Sequence, residues 1–394
     1  MIRLKDTLAG DQIYFYIVEQ RKDLYEARDF INDHKALALD TESSGINCYR
    51  RGWRLRSFQY GNAYESFVIP ANYRGFISWA MKSKTQWIGH NGPHDIRSID
   101  QHLDRRTGVI CAETYIPAHH ADSRSQDEGG VGHGLKEQSI VHIDRDAGKW
   151  ERNLKDEFKN ILIPIEGEVY KSGPRKGTQK YRKAKQAEGW DLIDFWNEAY
   201  LRYAAADPIL DYRLWKFYQP VVKRNYELYK FDQEVQEGYS ELQRRAILLD
   251  VDYATRLSEA YLKREHKLRT KAWDLYQCKN INSGDQVAAT LLRLKVKLRA
   301  KTDTGKWKTN AELLRKLANN SNTPIEAIDF IRTVLGAKQL EKRRVAWVEN
   351  MLLERDENDR VHPSIKSLAA RTTRSSVSGP ALQQLPTQDH EEDL

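Results

Sequence analysis

Cysteine is scarce in these 394 residues: Cys48, Cys111 and Cys278 stand far apart and form no CxxC pair. The spacing excludes a disulfide framework, gives no zinc signal and fits a reducing compartment. No run of about 18 apolar residues occurs, so no transmembrane helix is expected. The opening Met1-Ile2-Arg3-Leu4-Lys5-Asp6 lacks the long apolar core of a signal peptide. The glycine-rich Gly129-Gly130-Val131-Gly132-His133-Gly134 has no Gly-Lys-Ser/Thr opening a helix, which excludes a phosphate loop and leaves a mobile connection. His119-His120 with Asp122 lacks the i, i+4 spacing of helical zinc motifs, and no Ser/His/Asp or Cys/His arrangement has supporting context. Charge of one sign is not extreme either. Lys+Arg 64 against Asp+Glu 56 leaves a net charge of +8, so the placement of the basic residues matters more than their number. The chain reads as a soluble intracellular protein with a polyanionic partner, of which nucleic acid is the commonest.

The length predicts two or three domains. Ile13–Val18 reads as a first strand, with a helix over Lys22–Asn32 and a second strand over Lys35–Thr41. Leu55–Tyr60 and Tyr64–Ile69 flank the turn Gly61-Asn62. Further strands are expected at Trp87–His90 and Val109–Cys111, with helices at His94–Leu103 and near Glu113–Ala121. Interleaved strands and helices predict an α/β domain with a mixed sheet. Around Tyr170–Lys185 seven basic residues occur without an acid, either as a solvated loop or as an arm that touches phosphates. From Asp191 the pattern is helical. Tyr203 is expected to begin a helix that Pro208 bends or loosens. Asp252 should cap a helix to Tyr276 with Leu257, Tyr261, Leu268 and Leu275 in its buried stripe. Ser283 should cap the next, and Thr323-Pro324-Ile325-Glu326 should start another that runs past Val348. Between them Arg293–Lys308 forms a basic tip, either a solvated face, the default, or a surface suited to a duplex backbone.

The chemistry centres on Leu37-Ala38-Leu39-Asp40-Thr41-Glu42, an apolar strand that ends in two carboxylates. Residues i and i+2 share a face, so Asp40 and Glu42 converge and need a proton, a cation or a divalent metal. Asn91-x-x-x-Asp95 follows another strand and opens a helix, and Tyr203-x-x-x-Asp207 puts a phenol and a carboxylate on one helical face.

In this order the three patterns resemble the 3′–5′ exonucleases that use three aspartates and one glutamate, in their tyrosine version, over about residues 1–217. The resemblance implies a ribonuclease H-like fold and two divalent ions, Mg²⁺ or Mn²⁺. Asp40 would bridge the two ions, Glu42 and Asp207 would complete one site, and Asp95 would act through water on the other. Tyr203, with Glu42, would orient the attacking water. Asn91 and Ile46 would touch nucleic acid, Ile46 as an apolar wedge against the terminal base. His94 departs from the family, which usually has an aromatic residue there. Two ions about 3.5–4 Å apart can neutralise the transition state and activate water, which is why such a site gathers carboxylates.

The second half resembles a family A DNA polymerase of the bacterial polymerase I type: a helical thumb over 218–358 and the start of a palm over 359–394. Glu241–Asp250 looks like the thumb's start, with Lys301 and Lys306 in its basic tip. His362, Thr372-Thr373-Arg374-Ser375-Ser376 and Pro380-Ala381-Leu382-Gln383-Gln384-Leu385-Pro386 resemble palm motifs, in which Arg374 and Gln383 would face the minor groove of the primer–template. Thr373, Ala381 and Gln384 depart from the family's glycine and asparagines. By this resemblance the given sequence is expected to stop before the palm's catalytic carboxylates and the fingers, with no 5′-nuclease domain before it. Alone it is therefore expected not to polymerise DNA, and a second polypeptide would have to bring the palm and fingers. The expected function is proofreading hydrolysis from a single-stranded DNA 3′ end. The alternatives are a DNA-binding module with an inactive exonuclease, as half of a split polymerase, and an RNA-trimming exonuclease of the same type. The expected location is cytoplasmic, in the host cytoplasm if the chain is phage-encoded.

Overall fold

The computed structural model describes residues 1–108 and 110–385. Val109, the first residue of the expected Val109–Cys111 strand, lies outside them, as do Pro386 and the residues that follow it. Among the described residues no helix is long and apolar enough to cross a membrane.

Two compact units divide the chain: Met1–Ala246 with Ser364–Val377, and Ile247–Pro363 with the residues from Ser378. The first is built on seven strands: β1 (Ile2–Leu8), β2 (Asp11–Ile17), β3 (Ala36–Ser43), β4 (Leu55–Gly61), β5 (Glu65–Pro70), β6 (Gln86–Gly89) and β7 (Ala112–Glu113). Their order is β1-β2-β5-β4-β3-β6-β7. β2 pairs parallel with β5, β4 lies antiparallel between β5 and β3, and β3-β6-β7 run parallel, so the sheet is mixed as expected. β1 escaped the sequence pattern because it alternates half-buried and exposed residues with few apolar ones. β7 begins one residue past the expected Val109–Cys111 strand, where Ala112 pairs with Ile88.

The sheet is covered on both faces. One face packs α1 (Leu24–Asp33), α2 (Arg74–Ala80) and α3 (Pro93–Leu103) over Leu37, Leu39, Phe58 and Tyr60. The other meets α6 (Lys149–Phe158) and α8 (Glu198–Arg224) over Phe15, Ile17 and Val68. Each such aromatic or branched side chain contributes roughly 1.5–3 kcal/mol when fully buried. α4 (Tyr115–Ala121) and α5 (Leu135–His142) precede α6; a hairpin of β8 (Leu162–Val169) and β9 (Gln179–Lys183) and the short α7 (Gln186–Leu192) lie between α6 and α8.

α8 starts at Glu198 rather than Tyr203, because the Asn197 side chain accepts the Ala199 and Tyr200 N–H groups as an N-cap. It runs through Pro208, where loosened turns were expected. Buried Ala204, Ala205 and Ala206 let it lie close on the sheet, and the Ser66 hydroxyl donates to the Ala205 carbonyl at 2.6 Å. Residue 217 falls inside this helix, and α9 (Tyr226–Arg245) follows in the same unit.

The second unit is helical: α10 (Val251–Asp274), α11 (Gly284–Arg293), α12 (Ala311–Ala318), α13 (Ile325–Lys342) and α14 (Asn350–Glu354). Its core gathers Val287, Leu291, Phe330, Ile331 and Val334. Asp250, not Asp252, caps α10 by accepting the Tyr253 N–H at 2.8 Å. The helix stops at Asp274, leaving Leu275 65 % exposed; Ala254, Glu265 and Ala272 take up its buried face. Glu265 is tolerated there because Arg269 and Arg344 both pair with it. Ser283 caps α11 as expected. α13 starts at Ile325 with Pro324 at its cap and no side-chain capping bond, so the expected Thr323 box is not formed.

Candidate active site

Period two along β3 sends Leu37 and Leu39 to one face and Ala38, Asp40 and Glu42 to the other. α8 crosses that second face, and its i, i+4 stripe of Tyr203, Asp207 and Asp211 meets the strand end. Ligand oxygens of Asp40, Glu42 and Asp207 all lie within 4.8 Å of one another. Glu42 and Asp207 are buried, and Asp40 Oδ2 is a buried oxygen without a hydrogen-bond partner. Three converging carboxylates, one with an orphaned oxygen, form a hard-oxygen donor set that fits a divalent cation.

Asp95 stands beside this trio, in the first turn of α3. The Thr41 hydroxyl donates to its Oδ1 at 2.6 Å, tying it to the strand residue between Asp40 and Glu42. Asn91 has a φ of +61°, a left-handed turn that asparagine tolerates, and its side-chain oxygen lies 3.5 Å from Gln236 Nε2. Glu113 accepts the backbone N–H groups of Asn91 at 2.6 Å and Gly92 at 2.9 Å, which holds the approach to α3. A Cβ on Gly92 would collide with Ile110. Burial pushes the His94 imidazole down to about 4, so the residue that departs from the family pattern brings no charge to the site. Ile46 is 81 % exposed in the loop after β3. Of the residues read as DNA contacts in the second unit, Lys301 lies over the Trp307 ring at 4.9 Å and Lys306 pairs with Asp285 at 2.7 Å. Gln383 is exposed in a short turn. Arg374 is exposed in the first unit, where its carbonyl accepts the Ala369 N–H at 2.9 Å.

Sequence reasoning missed Lys136. The glycine-rich stretch is not a bare connection: it leads into α5, with Gly134 at the cap and its N–H bonded to Glu137. Lys136, in the first turn, brings its ammonium to Asp207 as an ion pair and sits 4.5 Å from the Tyr203 ring centroid. Its side chain is only 12 % exposed. A lone lysine after glycines carries no distinguishing pattern, so only packing shows it. Asp211 also went unread. It shares a short hydrogen bond with the Thr114 hydroxyl, which lies 2.9 Å from His90 Nδ1, while His90 Nε2 is 2.9 Å from the His133 carbonyl. The Thr114 hydroxyl donates to Asp211, whose carboxyl burial raises well above its ordinary range, while burial lowers the His90 imidazole to about 4.

Burial raises the Asp40 carboxyl to about 6 from 3.8, against the pull of Lys136, and it raises Glu42 further, with the Asp40 charge adding to the effect. A carboxyl that holds its proton more tightly in the folded state adds stability at low pH and withdraws it as pH rises between the two values. Without metal, the unit loses stability from about pH 4 to pH 6. A bound divalent cation reverses this. The melting-temperature gain from saturating Mn²⁺ should therefore be small at pH 5 and reach about 5–10 °C at pH 7.5. Calorimetry at the two pH values checks this; an equal gain at both would overturn it.

Two family models match separate stretches of the chain. The 3′–5′ exonuclease family model matches residues 15–137, which include Asp40, Glu42, Asn91, Asp95 and Lys136 but not Tyr203 or Asp207. The DNA polymerase family A model matches residues 251–393. The DNA polymerase of Mycobacterium phage L5 is 29% identical over 398 residues, 99% of this chain and 62% of that protein. That of Mycobacterium phage D29 is 28% identical, with the same shares. DNA polymerase I of Bacillus subtilis is 29% identical over 152 residues, 37% of this chain and 16% of its own. The chain thus spans less than two thirds of the length of these phage relatives. A solved structure, the POL domain of Pol1 from M. smegmatis in complex with DNA primer-template and dNTP, shares the fold at a TM-score of 0.60 and 12% identity. The match covers 95% of this chain and 56% of that one.

Proposed function

From the premise that the chain belongs to the family A DNA polymerases and carries a 3′–5′ exonuclease region, we propose that the β3–α8 site hydrolyses DNA from its 3′ end. The observation that carries this reading is the trio Asp40, Glu42 and Asp207, with ligand oxygens within 4.8 Å and Asp95 tied to the same strand end. These four carboxylates would hold two divalent ions, Mg²⁺ or Mn²⁺, which when bound supply charge neutralisation at phosphorus and an activated water. Glu42 and Tyr203 orient that water against the terminal phosphodiester. The water's oxygen bonds to phosphorus as its proton passes to solvent, the bond to the penultimate nucleotide's 3′ oxygen breaks with that oxygen taking up a proton, and a nucleoside 5′-monophosphate leaves. Burial keeps the Tyr203 phenol protonated far above its ordinary range, so it acts by hydrogen bonding rather than as an anionic base. Ile46, exposed beside the strand end, wedges the terminal base, and Asn91 supports the approach of the strand.

Residues 1–217 do this work in the proposed division. Residues 218–358 grip the primer–template duplex through a thumb whose tip holds Lys301 and Lys306, and Arg374 and Gln383, in the palm start from 359, meet its minor groove.

A 5′-labelled single-stranded oligonucleotide tests the proposal. With Mg²⁺ the label should shorten in single-nucleotide steps with release of 5′-monophosphates, and EDTA should stop it. Internal cuts, or trimming that persists in EDTA, would sink it. The second reading, a DNA-binding module with an idle site, draws on the Lys136 ammonium already paired with Asp207. Binding without metal-dependent cleavage would favour it. Matched RNA and DNA oligonucleotides separate DNA proofreading from RNA trimming.

A further inference from the structure

The β8–β9 hairpin stands outside both cores of its unit. β8 is exposed along most of its length, and the turn from Lys171 to Thr178 is exposed throughout. A lone two-stranded hairpin is marginal in water, so one exposed on both faces gains little from its own packing. Its chemistry is sorted by face. Lys180 and Arg182 are neutralised by Glu168 at 2.7 Å and Glu188 at 2.6 Å. Tyr181 and Lys183 alternate with them and so share the other face. Across the ladder from Lys183 stands Leu162, and across from Tyr181 stands Pro164. Directly opposed residues lie on the same side, so Leu162, Pro164, Tyr181 and Lys183 form one apolar, aromatic and cationic face. Leu162 is 58 % exposed and Tyr181 47 %. The turn adds Lys171, Arg175 and Lys176, and the Arg175 guanidinium lies over the Tyr170 ring at 5.8 Å.

The arm is rooted beside the site. Ala184 N–H donates to the Ile161 carbonyl at 2.9 Å, closing its base. Gly189 packs on the Phe158 ring so closely that a Cβ would collide. Arg56 of β4 donates to the Trp190 carbonyl at 2.6 Å and the Ile193 carbonyl at 2.5 Å. The Trp190 ring then rests 5.5 Å from that of Tyr203. The indole of Trp190, in the helix after the arm, thus lies against both Phe158, three residues before the arm's base, and the phenol of the site.

We propose that this hairpin is a binding arm for single-stranded nucleic acid, which holds the strand upstream of the scissile nucleotide and guides its 3′ end to Tyr203; the direction of the strand rests on the exonuclease reading. Cations spaced along an exposed ribbon suit successive phosphates, and Tyr170 and Tyr181 offer faces on which any unpaired base can stack. The strand β9, five residues long, reaches about 17 Å at the rise of an extended chain, enough to span two or more phosphates, while β8 opposite it shifts register between Pro164 and Val169.

The test uses the full chain with Lys171→Ala, Arg175→Ala, Lys176→Ala and Lys183→Ala combined, and separately Tyr181→Ala. Binding of a fluorescein-labelled twenty-residue oligothymidylate is followed by anisotropy in EDTA across a salt series. The fourfold variant should weaken binding at least about tenfold and flatten the slope of log K against log salt by about 2–3, at roughly 0.7 for each phosphate no longer neutralised. Tyr181→Ala should weaken binding several-fold with the slope unchanged. In Mg²⁺, KM for the oligonucleotide should rise with kcat retained, while hydrolysis of thymidine 5′-(p-nitrophenyl phosphate), too short to reach the arm, should stay as in the unsubstituted chain. Wild-type affinity and slope in the fourfold variant would overturn the arm, as would equal displacement of the oligonucleotide by polyglutamate at matched charge. If neither substrate is cleaved by the unsubstituted chain and binding still depends on the arm, the exonuclease reading fails and the arm stands.

Discussion

Asp40→Ala should lower the rate of 3′-end trimming on the order of 10³-fold or more, with single-stranded DNA binding in EDTA retained. Asp40 is the strand-end carboxylate with an orphaned buried oxygen, and it belongs to the trio that fits a cation. Asp95 and Asp211 stand at other positions of the cluster, beside Thr41 and Thr114, and do not take the place of Asp40 in the trio. The isosteric Asp40→Asn variant separates catalysis from folding. Burial holds the Asp40 carboxyl near 6, so at pH 7.5 the ionised form costs the metal-free protein on the order of 3 kcal/mol. Asn carries no such cost. Its melting temperature in EDTA should exceed that of the unsubstituted chain by about 6–12 °C at pH 7.5, and the gain should shrink towards pH 5. Trimming that survives Asp40→Ala at more than about a tenth of the original rate would refute the assignment of the site, whatever the melting data show.

Lys136→Met should act in the opposite sense on metal and on stability. The lysine ammonium is paired with Asp207 and faces Asp40 and Glu42, so it supplies positive charge to the same oxygens that fit a cation. Methionine keeps the length of the stem and removes the charge. Without metal, the carboxylates then face one another with their counter-charge gone. Breaking a buried pair by deleting one partner costs about 3–5 kcal/mol, so the melting temperature in EDTA should drop by about 6–15 °C. Metal no longer competes with an internal cation. Half-saturation by Mn²⁺, read by isothermal calorimetry without DNA, should therefore fall about tenfold in concentration, and Mn²⁺ should restore more of the missing stability than it adds to the unsubstituted chain. Unchanged Mn²⁺ affinity together with an unchanged melting temperature would show that the ammonium takes no part in the site. If trimming also slows in Lys136→Met at saturating Mn²⁺, the lysine additionally holds the substrate phosphate.

Much of this was local and therefore open to reading from the chain alone. A strand presents i and i+2 on one face whatever surrounds it, so Asp40 and Glu42 were bound to converge. A helix presents i and i+4 together, so Tyr203 and Asp207 were bound to share a side. The alternation of apolar segments with turns marked most strands of the mixed sheet, and Ser283 marked its helix start because capping is a contact between near neighbours.

What needed the tertiary structure lies between segments distant in sequence. The start of α8 at Glu198 depends on the Asn197 cap, and its passage through Pro208 depends on close packing of Ala204–Ala206 against the sheet. That Asp207 occupies the same space as Asp40 follows from α8 crossing β3, which no spacing encodes. Lys136 had no motif to announce it, and Glu113 and Asp211 look like ordinary acids until burial and their partners are seen. The sequence by itself determined which carboxylates lie on common faces, because that is set by backbone period. Only the fold decided that a lysine would stand among them, because charge becomes decisive where packing has removed the water.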